Sequence, residues 1–347
     1  MFSKKAPSFA MKGLGMVEKI GERMLKIDNI YKKFNLDAGL FAKYGKFVYA
    51  VNGVSLSVGN NEIYGLVGES GCGKTTVAKL IVRIYNIDSG NIIYEDKIGN
   101  KFDAYCDKKD LRKLRNKVRY IFQDPARSLN PKMKVIDILL NGYKYSKKGD
   151  KNGLARATEV IKNVGLSESD FERRPNDFSG GQRQRISIAR SLITNPEFLI
   201  CDEVVSALDV SIQSQILNLL LEIKQKENIS MLFIAHDLTV VSYFCDKIGV
   251  MYAGYIVEEG TSKDIIENRK HPYTNLLYES IPHITGSDFL SNVKKSDEVP
   301  NLTIKPKGCL FYARCPSKMD ICKEEAPKLK QIDSNNNTHK VACYLNN

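Results

Sequence analysis

Long apolar runs are missing from this sequence. Across 347 residues, no stretch approaches the about 18–20 consecutive apolar residues that a membrane-spanning helix needs. The opening stretch, Met1 to Lys12, carries lysines but no apolar core of signal-peptide length. The chain is therefore expected in the cytoplasm, and it cannot form a pore by itself. There is no internal repeat, no low-complexity tract and no long coiled-coil pattern, which excludes repeat architectures. Tight C-x2–4-C knuckles of the zinc-binding kind are also missing, although the chain has 8 cysteines.

What is present is ordinary in bulk. Apolar residues make up 43% and charged residues 27%, typical of a globular protein. The length suits one large domain with an appendage, or two domains. The formal net charge is +12, which can mean nucleic acid, an anionic membrane surface or acidic ligands. The densest basic run is Lys108 to Lys117, with Asp110, Leu111 and Leu114 interrupting it. No aromatic residues interleave it to stack on bases, so it reads as a solvated helix face, and no nucleic-acid partner is expected.

The chain is organised around Gly68-Glu69-Ser70-Gly71-Cys72-Gly73-Lys74-Thr75, which fits the phosphate-loop pattern G-x-x-x-x-G-K-[S/T] without a mismatch. The apolar run Ile63 to Val67 leads in as a buried strand, and Thr76 to Tyr85 leads out with helical periodicity. That context is what the chemistry requires. The glycines let backbone N–H groups wrap a polyphosphate, and the helix aims its positive end at the charge. Lys74 would reach the β- and γ-phosphates, and the Thr75 hydroxyl would ligate Mg²⁺.

Around this motif the pattern alternates. Met24 to Phe34 and Val48 to Val58 read as strands, with a loop over 35–46 between them. Asp88-Ser89-Gly90 marks a turn before the β-rich Asn91 to Tyr94. Val118 to Phe122 is a strand ending on Gln123, and residues 132–166 read mostly as helices. Ser179 is placed to cap a helix running to about Ile193. Phe198 to Cys201 is an apolar strand ending on Asp202 and Glu203. Ser211 to Lys226 is a helix, and Ser230 to Ala235 a strand ending on His236. Alternating helices and apolar strands predict an α/β fold with a mostly parallel sheet covered on both faces. Ligands in such sheets sit at the carboxyl ends of the strands, where Gln123, Asp202, Glu203 and His236 all fall.

At these residues the chain resembles the ATP-binding-cassette ATPases. The phosphate loop, Gln123, the signature Phe178-Ser179-Gly180-Gly181-Gln182, the pair Asp202-Glu203 and His236 stand in that family's order, with Ser206-Ala207-Leu208-Asp209 as its dimer-contact loop. The resemblance implies a cassette domain over 24–262, with a helical subdomain at about 124–185. Residues 1–23 are then a tail, 263–308 C-terminal helices and a linker, and 309–347 a small cysteine-rich extension. It also implies roles. Asp202 would hold Mg²⁺ together with Thr75 and Gln123, Glu203 would be the general base, and His236 would lie near the γ-phosphate. Ser179, Gly180, Gly181 and Gln182 would contact nucleotide held by an opposing cassette. Gly68 to Thr75, with Thr76, would bind this chain's own nucleotide, and an aromatic from the loop before them, Tyr44 or Phe47, would stack on adenine.

A narrower resemblance rests on Phe122-Gln123-Asp124-Pro125, Ser128-Leu129-Asn130-Pro131, Val205 to Gln213 and His271-Pro272-Tyr273-Thr274. These look like the oligopeptide and dipeptide importer branch, most like the second of its two paired ATPases. Nickel and glutathione importers share much of the pattern and remain alternatives. The implied partners are a second ATPase subunit in a heterodimer, two transmembrane permease subunits and an extracellular peptide-binding protein. The implied location is the cytoplasmic face of the membrane. A soluble cassette protein acting on DNA or ribosomes is the alternative from another class; such proteins usually carry two cassettes or a long coiled coil. Val204 departs from the proline usual after the acidic pair, and Phe178 from a common leucine.

The cysteines divide unevenly. Cys72, Cys106, Cys201 and Cys245 are scattered and read as small apolar fillers. Cys309, Cys315, Cys322 and Cys343 crowd the C-terminal segment with spacing C-x5-C-x6-C-x20-C. A disulfide is disfavoured in a reducing cytosol. An iron–sulfur cluster, a zinc ion and unliganded thiols all remain open on spacing. Peptide-importer ATPases with a similar tail carry a [4Fe–4S] cluster, and Gly308-Cys309-Leu310-Phe311 and Arg314-Cys315-Pro316 match that tail, so the resemblance implies a cluster. The polar, proline-punctuated stretch 286–308 predicts that this segment folds apart from the ATPase sheet.

Overall fold

The structure is a computed structural model that describes residues 23–36, 46–105, 107–146, 152–280, 302–303, 307–333 and 336–346. Strands β1 (Arg23–Asn35), β2 (Phe47–Gly59), β4 (Ser89–Glu95) and β5 (Lys101–Asp103) form an antiparallel sheet in the order β2-β1-β4-β5. A second sheet holds β3 (Ile63–Val67), β6 (Val118–Ile121), β7 (Phe198–Asp202), β8 (Ser230–Ala235) and β9 (Lys247–Tyr252) in the parallel order β9-β3-β8-β7-β6. Every residue of β3, β7 and β8 is buried, which is why these strands read as unbroken apolar runs. Alternation along β3 still divides its side chains between two cores. Ile63 and Val67 enter one, Tyr64 and Leu66 the other.

The helices follow their sequence signals, with adjustments at the ends. After the phosphate loop, α1 (Lys74–Ile81) stops short of the predicted Tyr85, and Arg83 turns the chain at φ 53°. In α2 (Lys108–Lys117) only Leu114 is buried, so the basic run is indeed a solvated face. A helical region follows, with α3 (Pro125–Ser128), α4 (Val135–Ser146), α5 (Gly153–Asn163) and α6 (Gly180–Leu192). Leu139, Val160, Ile161, Ile188 and Leu192 share its core. Then come α7 (Val210–Glu227), α8 (Leu238–Phe244), α9 (Ser262–Glu267) and α10 (Pro272–Glu279). Among the described residues, no helix is long and apolar enough to cross a membrane.

The C-terminal segment does not fold apart from the sheet. After α11 (Ile321–Glu324), strand β11 (Lys330–Asp333) pairs with β12 (Asn336–Val341), and β12 pairs antiparallel with β10 (Tyr255–Thr261), itself on the edge of β9. The eight-stranded sheet thus runs without a break from the cassette into the cysteine segment. The junction is buried and ionic. Glu258 and Glu259, 0% and 2% exposed, meet His339 at 2.8 Å and Lys340 at 3.1 Å respectively. Burial alone would raise the Glu259 pKa, but Lys247 and Lys340 carry it below the ordinary value. Phe311, 1% exposed, packs its ring against Tyr252 and Tyr273 in the same core as β3.

Candidate active site

The phosphate loop links β3 to α1 and is shaped by close backbone approaches. Gly73 adopts φ 109°, and a Cβ there would lie 2.4 Å from the Ala50 carbonyl oxygen. A Cβ on Gly68 would lie 2.1 Å from the Met251 carbonyl oxygen. Only glycine fits either place. Gly73 caps α1 with no side chain, so no side-chain acceptor competes for the N–H groups of the first turn, as an anion site requires. Lys74 is 3% exposed and donates from Nζ to the carbonyls of Gly68 at 2.7 Å and Glu69 at 2.9 Å. The loop that would share phosphate contacts with this ammonium satisfies it here.

Contacts near the strand ends join four of the predicted side chains in two pairs, Thr75 with Asp202 and Gln123 with Glu203. Thr75 Oγ1 donates to Asp202 Oδ1 at 2.9 Å, and the Tyr120 hydroxyl donates to Asp202 Oδ2 at 2.5 Å. Burial, then the Asp202 charge, pushes the Tyr120 phenol well up, so it stays a donor. Gln123 Nε2 donates to Glu203 Oε2 at 2.7 Å. Glu203 sits at φ 47°, a left-handed backbone costly for a residue with a Cβ. Its N–H donates to Ile234 O at 3.0 Å, and the Ser206 hydroxyl donates to its carbonyl at 2.9 Å, which holds the turn. His236 is exposed just beyond β8. Beside these pairs, Cys201 is an inert thiol with its pKa pushed up to about 12, chiefly by burial.

The signature residues stand apart from this group. Ser179 is exposed at the start of α6 and forms a reciprocal cap, accepting from Gln182 N–H at 3.3 Å while Gln182 Oε1 accepts its own N–H at 3.0 Å. Tyr44 and Cys106 lie outside the described residues. Phe47, the other aromatic candidate, is half-buried, with Lys33 Nζ 4.4 Å from its ring centroid.

Comparison with known proteins agrees with this geometry. The ABC transporter family profile matches residues 51–206, and the profile of the oligopeptide/dipeptide transporter C-terminal region matches 257–322. Over 329 residues the chain is 39% identical to the oligopeptide transport ATP-binding protein AppF of Bacillus subtilis (strain 168), covering 93% of this chain and 98% of that protein. The chain belongs to the ATP-binding-cassette transporter family. As a cassette of that family it binds and hydrolyses ATP. Its fold is similar to cbiO1 from Clostridium perfringens, part of the ABC transporter complex cbiONQ, with a TM-score of 0.61 and 26% identity, over 72% of this chain and 93% of that one. It is also similar to the cassette MJ0796 in a dimeric post-hydrolysis state bound to ADP and Pi, with a TM-score of 0.59 and 26% identity, over 69% and 99% of the two chains.

Two residues beyond the cassette domain reach the phosphate loop from far along the chain, and the motifs did not predict this. Arg314 Nη1 and Nη2 each donate to one oxygen of Glu69, both at 2.8 Å. The hydroxyl of Tyr273, 0% exposed, accepts the Glu69 N–H at 2.9 Å. Arg314 lies in Arg314-Cys315-Pro316 and Tyr273 in His271-Pro272-Tyr273-Thr274, so both stand in segments that carry the family resemblance. Nothing in their spacing says that they converge on Glu69. Next to them, the His271 N–H donates to Glu258 at 2.9 Å, and Nδ1 accepts from Tyr273 N–H at 3.0 Å. Burial lowers the His271 pKa to about 4, despite the Glu258 charge, so the ring is neutral at pH 7.

The four C-terminal cysteines lie within electrostatic reach of one another. Cys309 N–H donates to Cys322 O at 2.7 Å, and burial with the nearby Cys322, Cys315 and Cys343 pushes the Cys309 thiol up to about 11. Burial likewise raises Cys315 and Cys343. Yet among the described residues, no group of three or more His, Cys, Asp or Glu side chains is arranged to hold a metal ion. A zinc or [4Fe–4S] centre would bind these thiols as thiolates, so its binding would release their protons. A cavity of about 580 Å³ adjoins the segment, lined by Tyr31, Asn52, Tyr252, His271, Phe311 and Leu329 among others, and no phosphate-loop residue lines it.

Proposed function

We propose that this cassette is the ATP-hydrolysing subunit of an importer for oligopeptides or dipeptides. The match of residues 257–322 to the oligopeptide/dipeptide transporter C-terminal region carries the substrate class, and the name of the Bacillus subtilis relative supports it. The subunit would work at the cytoplasmic face, with a second ATPase subunit as a heterodimer, two membrane-spanning permease subunits and an extracellular peptide-binding protein.

The roles at the site follow from the contacts. On binding ATP, Lys74 would exchange the Gly68 and Glu69 carbonyls for β- and γ-phosphate oxygens, while the first N–H groups of α1 take the remaining charge. The Thr75 hydroxyl and the Asp202 carboxylate, already 2.9 Å apart, are oxygen donors suited to Mg²⁺, with Gln123 beside them. Bound there, Mg²⁺ would neutralise phosphate charge as the β–γ bond breaks. Glu203 would accept the proton of the attacking water, and Gln123, 2.7 Å away, would orient its carboxylate. The leaving oxygen would depart with ADP. His236 would support the γ-phosphate from the end of β8. Ser179, Gly180, Gly181 and Gln182 would serve nucleotide held by the partner cassette, an arrangement supported by the dimeric state of MJ0796.

Cys309, Cys315, Cys322 and Cys343 would hold a [4Fe–4S] cluster with a structural role. Support comes from four thiols in one another's electrostatic reach, a donor set that a cluster uses in full. Iron and sulfide assays on anaerobically purified protein test it; zinc at one equivalent without sulfide refutes it.

Stimulation of ATP hydrolysis in the assembled complex tests the transport reading. Peptide-loaded binding protein should raise turnover severalfold, and the purified chain alone should turn over slowly until its partner cassette is added. Stimulation by nickel- or glutathione-loaded binding protein, with none by peptides, would overturn the peptide assignment.

A further inference from the structure

Glu69 poses an electrostatic difficulty for a loop that binds polyphosphate. A carboxylate beside the anion site opposes nucleotide binding, because two negative charges in a partly desolvated place repel more than they would in water. Its carbonyl already serves Lys74, and its N–H is held by Tyr273. Its side chain is 37% exposed and is gripped in a bidentate pair by Arg314, whose side chain is 16% exposed. Arg314 belongs to the cysteine segment and sits one residue before Cys315. Its guanidinium also lies 5.8 Å from the centroids of the Tyr252 and Phe311 rings, so its place is fixed by packing as well as by charge.

We propose that Arg314 is a positioning residue of the phosphate loop: it masks the Glu69 carboxylate and turns it toward the cysteine segment, so that a nucleotide polyphosphate meets no uncompensated negative charge there. This rests on reading the loop as an ATP site. It goes beyond that reading because it makes nucleotide affinity depend on the order of a segment 245 residues away in sequence. Loss of that order would unmask the Glu69 carboxylate without substituting any residue of the phosphate loop.

The test is the binding of MgATP to the full-length chain by calorimetry, with KM and kcat measured in the assembled complex. Arg314→Ala should weaken binding about tenfold, the scale of one unscreened charge near a polyanion. In the complex it should raise KM similarly while kcat stays within about twofold. The double variant Arg314→Ala/Glu69→Gln should return to within about twofold of the wild type, because no carboxylate is left to mask. The Arg314→Ala deficit should also shrink as salt rises from about 50 to 500 mM. Arg314→Lys keeps the charge and should bind almost as well as the wild type. A double variant as weak as Arg314→Ala, or a deficit indifferent to salt, would make the pair a mechanical strap and overturn the masking. Wild-type affinity in Arg314→Ala overturns it as well. Lys74→Ala separates the two readings: if it binds as the wild type does, or the wild type does not bind, the ATP-site reading falls and the masking with it.

Discussion

The phosphate loop and the cysteine segment meet at Glu69, but they are held by different physics. Around the loop, backbone geometry places the side chains. Gly73 at φ 109° starts α1, Asp202 closes a buried strand, and Glu203 follows in a strained turn fixed by two hydrogen bonds. The cysteine segment instead docks through a short register on β10, Glu258 opposite Val341 and Glu259 opposite Lys340, and through polar and charged side-chain contacts. Those are Glu258 with His339, Glu259 with Lys340 and Glu69 with Arg314. A site fixed by strands and helix ends resists changes of pH and salt. One held partly by ionisable pairs responds to pH, and its partly exposed Glu69–Arg314 pair responds to salt. The chain therefore joins a stiff rim, the candidate catalytic one, to a segment whose grip is tunable.

The largest expected effect sharpens the stiff side. Glu203→Gln should lower turnover in the assembled complex by about 10²–10⁴-fold, the range for removing a general base, while MgATP binding stays intact. Protease resistance of residues 309–346 should not change, since none of the hydrogen bonds and ion pairs of Glu203 reaches the described residues of that segment. Turnover within a few-fold of wild type, read from a complex whose other site is disabled, would remove Glu203 from the proposed role.

The next breaks the tunable side with acid. His271 is buried and neutral, with its pKa lowered from 6.5 to about 4. Below pH 6.5 the unfolded chain takes up a proton that the folded chain refuses. Its contribution is thus fully present above about pH 6.5 and is lost as pH falls toward 4, by about 3 kcal/mol at most. His271→Gln, which can still accept the Tyr273 N–H, should lose less stability than wild type between pH 7 and pH 4.5 in urea titrations. Equal losses would show that other groups govern the acid sensitivity.

How much could be read in advance follows the same division. The path from Ile63 through Thr75 was legible because each feature is local: an apolar strand, a glycine-rich turn, then a helix. Gln123, Asp202, Glu203 and His236 were legible because strand ends in a parallel sheet share one rim. The end of α1 was not, since helical periodicity continues past Ile81 while Arg83 leaves the helix at φ 53°. The docking of the cysteine segment was misread. A polar linker reports that the chain leaves the cassette, but not that β12 returns to β10. Arg314 and Tyr273 were invisible as loop contacts for the same reason, because a contact between distant segments leaves no periodicity. The four cysteines were legible as a gathering because they crowd one short stretch of sequence.

A smaller effect probes the junction itself. Tyr273→Phe removes the acceptor of the Glu69 N–H, a group fixed in a tight turn. Leaving it unpaired should cost about 1–2 kcal/mol of stability. The loss should be smaller with saturating MgATP, if the freed N–H then turns to phosphate. Thermal shifts with and without nucleotide measure the difference. An equal loss in both states would mean that the bond serves the fold alone.

The smallest expected effect separates the signature's two uses of one hydroxyl. Ser179 caps its own helix, accepting the Gln182 N–H at 3.3 Å from an exposed position. Removing it in Ser179→Ala should cost the isolated chain about 1 kcal/mol, and Ser179→Asn, which can still cap, close to nothing. If the hydroxyl served only this helix, turnover in the assembled complex would follow the same order, with Asn restoring what Ala loses. If it also meets nucleotide on the partner cassette, the longer amide cannot take its place there. Both variants should then slow turnover together, although only one of them loosens the helix. Stability and turnover moving apart in Ser179→Asn is thus the signature of a residue working across the interface, and their moving together would confine Ser179 to capping α6.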